Sequence, residues 1–195
     1  MNRRWAGAAI AVAVAVLLLA SYWLFRQGKR EAAVAEAPSS SSLPASSAPV
    51  PEGETWTAEL YFPAATDRLM AQQTPVTSAG SARARATGVV QSLLATPPTA
   101  PRVPVFPTEV KLGKLLMLED GTVIIDLRTD PVAEPPQSGS TVEELRIYAI
   151  VDSVLHNVAE AKQVVLLWNG TQRPSFSGHI DTGHPLRLRA DLVSS

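Results

Sequence analysis

Three side chains near the carboxyl terminus have the types and spacing to hold a divalent cation. In Gly178-His179-Ile180-Asp181-Thr182-Gly183-His184-Pro185, two imidazoles and one carboxylate fall close together, a donor set that suits zinc. His179, Asp181 and His184 would then be the centre of a domain acting on cell-wall material, either a ligand-binding domain or a metal-dependent hydrolase. On a strand His179 and Asp181 would share a face, but His184 lies beyond a glycine. The competing and favoured reading is a turn in which Asp181 hydrogen-bonds its own backbone. Elsewhere the residues that could do chemistry have simpler explanations. His156 falls at the end of a helical segment, where a cation meets the terminal carbonyls favourably. Glu143 and Glu144 are adjacent, and successive helix residues point about 100° apart, so they form no acid/base pair. Asp126 and Asp130 flank Arg128-Thr129 and are expected to close a loop. Asn169-Gly170-Thr171 matches a glycosylation acceptor, yet Asn-Gly is also the preferred hairpin turn. Arg83 and Arg85 read as a solvated helix face. With no nucleophile elbow and no glycine-rich phosphate loop, the sequence assigns no catalytic, cofactor-binding or metal-binding residue.

Composition narrows the classes further. Over 195 residues, 17 Lys plus Arg face 18 Asp plus Glu, and cysteine is absent. A net charge of −1 lacks the basic footprint of phosphate binding, which argues against a nucleic-acid partner. Without cysteine there is no disulfide framework, thiolate nucleophile or cysteine zinc knuckle.

The elements that must position these residues begin after a long apolar run. Trp5 to Phe25 is 21 residues without charge or proline, enough at about 1.5 Å per residue to cross a hydrocarbon layer of about 30 Å. Trp5, Tyr22 and Trp23 stand at its ends, where amphipathic rings favour the headgroup zone. A cleaved signal peptide is the rival, with cleavage after Ala20, but the run continues through Phe25 into Arg26, Lys29 and Arg30. Leu18-Leu19-Ala20-Ser21 has the order of a lipoprotein box with serine where the lipid-bearing cysteine would stand, so lipidation fails on chemistry. Residues 1–30 are therefore expected to form a transmembrane signal anchor in the bilayer of the inner (cytoplasmic) membrane, with the remainder outside the cytoplasm. Flanking charge is balanced and does not itself fix that orientation. Residues 31–54 are rich in Ala, Ser and Pro and lack aromatics, so they cannot bury enough surface to offset ordering entropy and read as a tether. Residues 55–195 carry 12 basic and 14 acidic side chains and are long enough for one self-supporting domain.

Within that domain, Trp56 to Phe62 alternates and reads as a strand stopped by Pro63. From Ser81, the residues Ala86, Val89, Val90, Leu93 and Leu94 recur at helical spacing up to Pro97-Pro98. Gly113 to Leu118 and Thr122 to Leu127 flank Glu119-Asp120-Gly121, a strong hairpin signal. Ser140 with Glu143, or Thr141 with Glu144, offers a capping box to a second helix whose apolar face includes Leu145, Tyr148, Ala149, Val151, Val154 and Leu155. Gln163 to Trp168 reads as a buried strand, and Asn169-Gly170 turns the chain toward Ser175–Ile180. The order β-α-β-β-α-β predicts an α+β fold, a two-layer sandwich of one small mixed sheet with both helices on one face.

These segments together resemble the GerMN domain family, named for a spore germination and sporulation protein. Leu60-Tyr61-Phe62-Pro63 is similar to its opening strand. Gly121-Thr122-Val123-Ile124-Ile125-Asp126-Leu127 is similar to its Val-Asp-Leu-Ser hairpin, with Arg128 in place of the usual serine. Ala149-Ile150-Val151-Asp152-Ser153-Val154-Leu155 resembles its Ile-Val-Asn-Thr-Leu helix, with Asp152 and Ser153 for asparagine and threonine. Ser177-Gly178-His179-Ile180-Asp181 resembles its closing Gly-His-Ile-Asp motif. The resemblance spans about Thr55 to Leu188 and departs at Phe106 to Val110. It implies an extracytoplasmic, non-enzymatic module similar to the ring-building domains of envelope machines, whose partner is another envelope protein or a second copy of itself. It carries over no catalytic residue and no cofactor.

Overall fold

The computed structural model describes residues 53–78 and 80–194. The membrane helix expected over Trp5–Phe25 and nearly all of the tether expected over 31–54 lie outside the described residues. Among the described residues, no helix is long and apolar enough to cross a membrane.

The chain enters as β1 (Glu54–Pro63), whose Ala58, Leu60 and Phe62 are fully buried on the face that the alternation picks out. A turn at Ala64–Arg68, with Asp67 at a positive φ of 54°, sends it back as β2 (Leu69–Ser78), antiparallel to β1 from Glu54↔Ser78 to Pro63↔Leu69. Strand β2 carries no strand signal in its sequence, because its middle, Gln72-Gln73-Thr74-Pro75, holds a proline and little apolar content. The structure shows why proline is tolerated there. A strand residue sends its N–H and C=O to the same side, and alternate residues share that side. Leu69 O accepts from Ser194 N at 2.8 Å and Ala71 O from Arg102 Nε at 2.9 Å, both across the outer edge. Pro75 has the same parity, so its missing N–H faces outward and costs no ladder bond.

Helix α1 (Ala82–Ala95) is capped by Ser81, whose hydroxyl accepts from Ala84 N at 3.2 Å, and it buries Ala86, Val89, Val90 and Leu93 as the spacing predicts. Gly88 lets it lie close on β2: a Cβ there would stand 2.8 Å from Val76 Cγ1. A hairpin follows, β3 (Lys111–Met117) against β4 (Thr122–Arg128). Its turn is closed by Asp120, whose Oδ1 accepts from Thr122 N at 2.8 Å, and by Gly121 at φ 89°. Helix α2 (Ser140–Asn157) then crosses over to β5 (Gln163–Trp168), which pairs parallel to β4, and β6 (Thr171–Gln172) adds a two-residue edge. Asn169 at φ 49° and Gly170 at φ 80° make the β5–β6 turn, as the Asn-Gly pair predicts.

The fold is α+β, but the expected single sheet is corrected to two, β1-β2 and β3-β4-β5-β6. Each helix touches both sheets, α1 through β2, β1 and β3 and α2 through β1 and β5. The physical reason for two sheets is that β1 has no edge left. Its far side is occupied by α2 side chains: Asn157 Oδ1 accepts from Glu59 N at 3.0 Å, Asn157 Nδ2 donates to Glu59 O at 2.8 Å, and Ser153 Oγ accepts from Tyr61 N at 2.9 Å. Helix α2 packs on β1, β5 and α1 together, and so Leu145 and the whole run Ile147–Val154 are buried rather than one stripe. The core joins Phe62, Leu60, Leu69, Leu93, Ile125, Ile147, Ile150, Leu166 and Trp168. At its far end Trp168 meets Phe106 and Phe176 at ring-centroid distances of 5.8 and 5.4 Å.

Candidate functional site

The cation-binding set does not assemble. Residues 175–180, toward which the Asn169-Gly170 turn sends the chain, form an irregular loop. Asp181 closes the expected turn, its Oδ1 accepting from Gly183 N at 2.8 Å, while its Oδ2 lies 2.8 Å from His184 Nδ1. Both of these side chains are largely exposed. His179 turns elsewhere, with Nδ1 2.9 Å from Glu143 Oε2. Among the described residues no three His, Asp or Glu side chains are grouped to hold a metal ion.

Glu143 is the residue for which the sequence gives the wrong role. No capping box forms: Gly139 is the N-cap, without a side-chain bond, and neither Ser140 nor Thr141 caps. Glu143 is instead 1% exposed and organises the loop that carries His179. Its Oε1 accepts from Ser175 Oγ at 2.7 Å, Phe176 N at 2.9 Å and Ser177 N at 2.7 Å; its Oε2 accepts from His179 N at 2.9 Å and contacts the His179 ring. Burial alone would raise its pKa, but the bonds from Ser175, Ser177 and His179 outweigh it and hold the carboxyl below the ordinary glutamate value. Asp126 has a similar role. It is 4% exposed and joins β4 to the β5–β6 turn, accepting from Gly170 N at 2.7 Å and Arg128 Nε at 2.8 Å. Asn169 accepts from Thr129 N at 3.2 Å and donates to Ala133 O at 3.0 Å, so its side chain is spent on the turn. Arg85 pairs with Glu160 at 2.6 Å instead of pointing only to solvent.

A different place on α2 is less complete. Asp152, one of the two departures from the family helix motif, is 1% exposed. Its Oδ1 accepts from Arg189 N at 3.0 Å, and its Oδ2 has no hydrogen-bond partner among the described residues. Burial drives its pKa up to about 6, against the opposing pull of the Arg189 amide and charge. The Arg189 guanidinium is engaged elsewhere: it sits 5.3 Å from the centre of the Tyr148 ring, lies 2.8 Å from Asp191 Oδ1 and reaches Glu144 at 3.3 Å.

Asp152 lies at the wall of a cleft of about 350 Å³ shared with Tyr61, His156, Leu188, Ala190 and Val193. His156 does stand in the last turn of α2 as expected, and it also packs edge-on against Tyr61 with ring centroids 5.5 Å apart. Tyr61 OH donates to Glu59 Oε1 at 2.8 Å; burial first, then Glu59, raises its pKa and keeps the phenol protonated. Sequence reasoning passes over this cleft although one signal was present. Asp152 is a charged residue inside the apolar run Ile147–Leu155, and His156 follows at i+4, on the same helical face.

A family model described as Germane, sporulation and spore germination, matches residues 59–174. Two solved structures from Bacillus subtilis are similar in fold. The first GerMN domain of the sporulation protein GerM is 17% identical, with TM-score 0.53, covering 70% of this chain and 99% of its own. The tandem GerMN domains of GerM are 17% identical, with TM-score 0.51, covering 72% of this chain and 46% of theirs. No curated protein matches the chain significantly.

Proposed function

We propose, from the premise that this chain belongs to the Germane family of sporulation and spore germination domains, that it works by docking and not by catalysis. In this reading residues 1–30 anchor it in the bilayer of the cytoplasmic membrane, residues 31–54 tether it, and the domain stands outside the cytoplasm. There it binds an envelope protein or a second copy of itself, in sporulation or germination. Confinement beside a membrane raises effective concentration, so a modest interface suffices.

The observation that carries the reading is Glu143. The most buried acid beside an imidazole is the natural candidate for general acid/base work, yet each of its oxygens is taken up holding the 175–179 loop. The histidine next to it serves the same loop. His184 and Asp181 face solvent as a pair of their own, so the metal-hydrolase alternative has no assembled site.

The test is in-cell photo-crosslinking of the whole chain from the exposed positions Leu118, Val132 and Val142, with identification of what is captured and membrane fractionation alongside. The reading expects a discrete adduct with an envelope protein or another copy, in the membrane fraction. A freely soluble cytosolic chain with no adduct from any position contradicts it, as does turnover that disappears on replacing a single side chain.

A further inference from the structure

The cleft beside Asp152 has the attributes of a small cation site. One wall supplies a buried carboxylate oxygen without a donor. Leaving a buried acceptor unpaired costs about 1–3 kcal/mol, and more when it is charged. Three of the donors around it are engaged elsewhere. Arg189 is held by Asp191, Glu144 and the Tyr148 face, Arg68 donates to Asp191 O, and Tyr61 OH is committed to Glu59.

The charges around the opening favour a cation. Glu59 and Tyr61 come from β1, Arg68 from the turn after it, Glu144, Asp152 and His156 from α2, and Arg189 and Asp191 from the 188–194 segment; two arginines against four carboxylates leave the balance negative. The remaining lining is Ser194 and three aliphatic side chains, Leu188, Ala190 and Val193. An ammonium on a short methylene stem matches all three features. Its N–H meets the orphan oxygen, its charge meets the carboxylate and ring faces, and its stem meets the aliphatic wall.

We propose that this cleft binds an alkylammonium group, with Asp152 Oδ2 accepting its N–H and Leu188, Ala190 and Val193 covering its methylenes. The ammonium belongs either to a free small amine or to a lysine side chain on a protein. The site goes beyond the docking reading and does not depend on the family role.

The experiment is calorimetric titration and NMR shift mapping of the whole chain with n-butylammonium, n-butanol and butyrate. Nα-acetyl-lysine N-methylamide is run as the model of a protein side chain. Saturable millimolar binding of n-butylammonium, with shifts at Tyr61, His156 and Leu188 and with the two controls silent, is the expected result. Binding of the lysine model as well points to a protein source; binding of n-butylammonium alone points to a free amine. Asp152→Asn, which keeps the shape and removes the charge, should weaken binding by about tenfold or more. Equal binding of n-butanol or butyrate, no saturation with any ammonium, or unchanged binding by a folded Asp152→Asn overturns the proposal. If that variant does not fold, the ranking of ammonium, alcohol and carboxylate on the natural chain decides alone.

Discussion

Glu143 and Asp152 stand on the same helix, and each is 1% exposed, yet their surroundings treat them in opposite ways. Glu143 collects three backbone N–H groups, a serine hydroxyl and an imidazole, and its pKa falls below the ordinary value. Asp152 receives one backbone N–H, keeps one oxygen unpaired, and its pKa rises to about 6. Burial is common to both, so the number of donors decides the direction. A carboxylate whose acceptors are filled is a structural tie. One left short of donors beside an open cleft is a place where another molecule can supply what the fold does not.

The strongest way to break this comparison is to remove Glu143. Glu143→Ala strands the donors of Ser175, Phe176, Ser177 and His179 and should cost about 3–5 kcal/mol in denaturant unfolding. A loss under about 1 kcal/mol would mean that the loop does not depend on it. The pH dependence has a definite sign. A depressed folded pKa gives stability that is present above the ordinary glutamate value and lost as pH falls through the lower folded value. Glu143→Gln should therefore narrow its deficit against the natural chain in that acid window.

Asp152→Asn should act in the reverse sense. A pKa raised from 3.8 to about 6 penalises the folded carboxylate above pH 6 and not below pH 3.8. The variant should match the natural chain below pH 3.8 and become more stable by about 3 kcal/mol as pH rises past 6. Chemical unfolding at several pH values measures this, and a variant less stable at neutral pH contradicts it.

The third effect is smaller and tests whether α2 ties β1 off from the other sheet. Asn157→Ala leaves Glu59 N and O without their partners and should cost about 1–2 kcal/mol. Faster amide exchange at Glu59 should accompany it, and unchanged exchange there would show that the edge is held by something else. Least affected should be Asp181→Ala with His184→Ala: an exposed pair on a surface turn should leave the thermal unfolding curve superposable on that of the natural chain. Loss of an activity in that double variant would restore the metal-site reading.

How far these residues were legible in sequence follows from how local their partners are. Periodicity located α1, α2, β1, β5 and the β3–β4 hairpin, because burial of one face leaves a repeat in the chain. The Asp181 turn and the Asn169-Gly170 turn were legible because their partners lie within a few residues. Strand β2 was not, since Pro75 is acceptable only once it is known that its nitrogen faces an edge. Glu143 was misread because its donors lie more than thirty residues away, and a nearer serine satisfied the pattern of a cap. The two-sheet arrangement was hidden for the same reason: Ser153 and Asn157 close an edge of β1 from more than ninety residues along the chain.

The most direct test of the contrast is a carbon-13 carboxyl titration of the whole chain, run with and without n-butylammonium. Asp152 should titrate near 6 and move down when the amine is added, while Glu143 stays below the ordinary glutamate value in both. An Asp152 that titrates at the ordinary aspartate value, or a Glu143 that shifts with the amine in its place, would contradict the account.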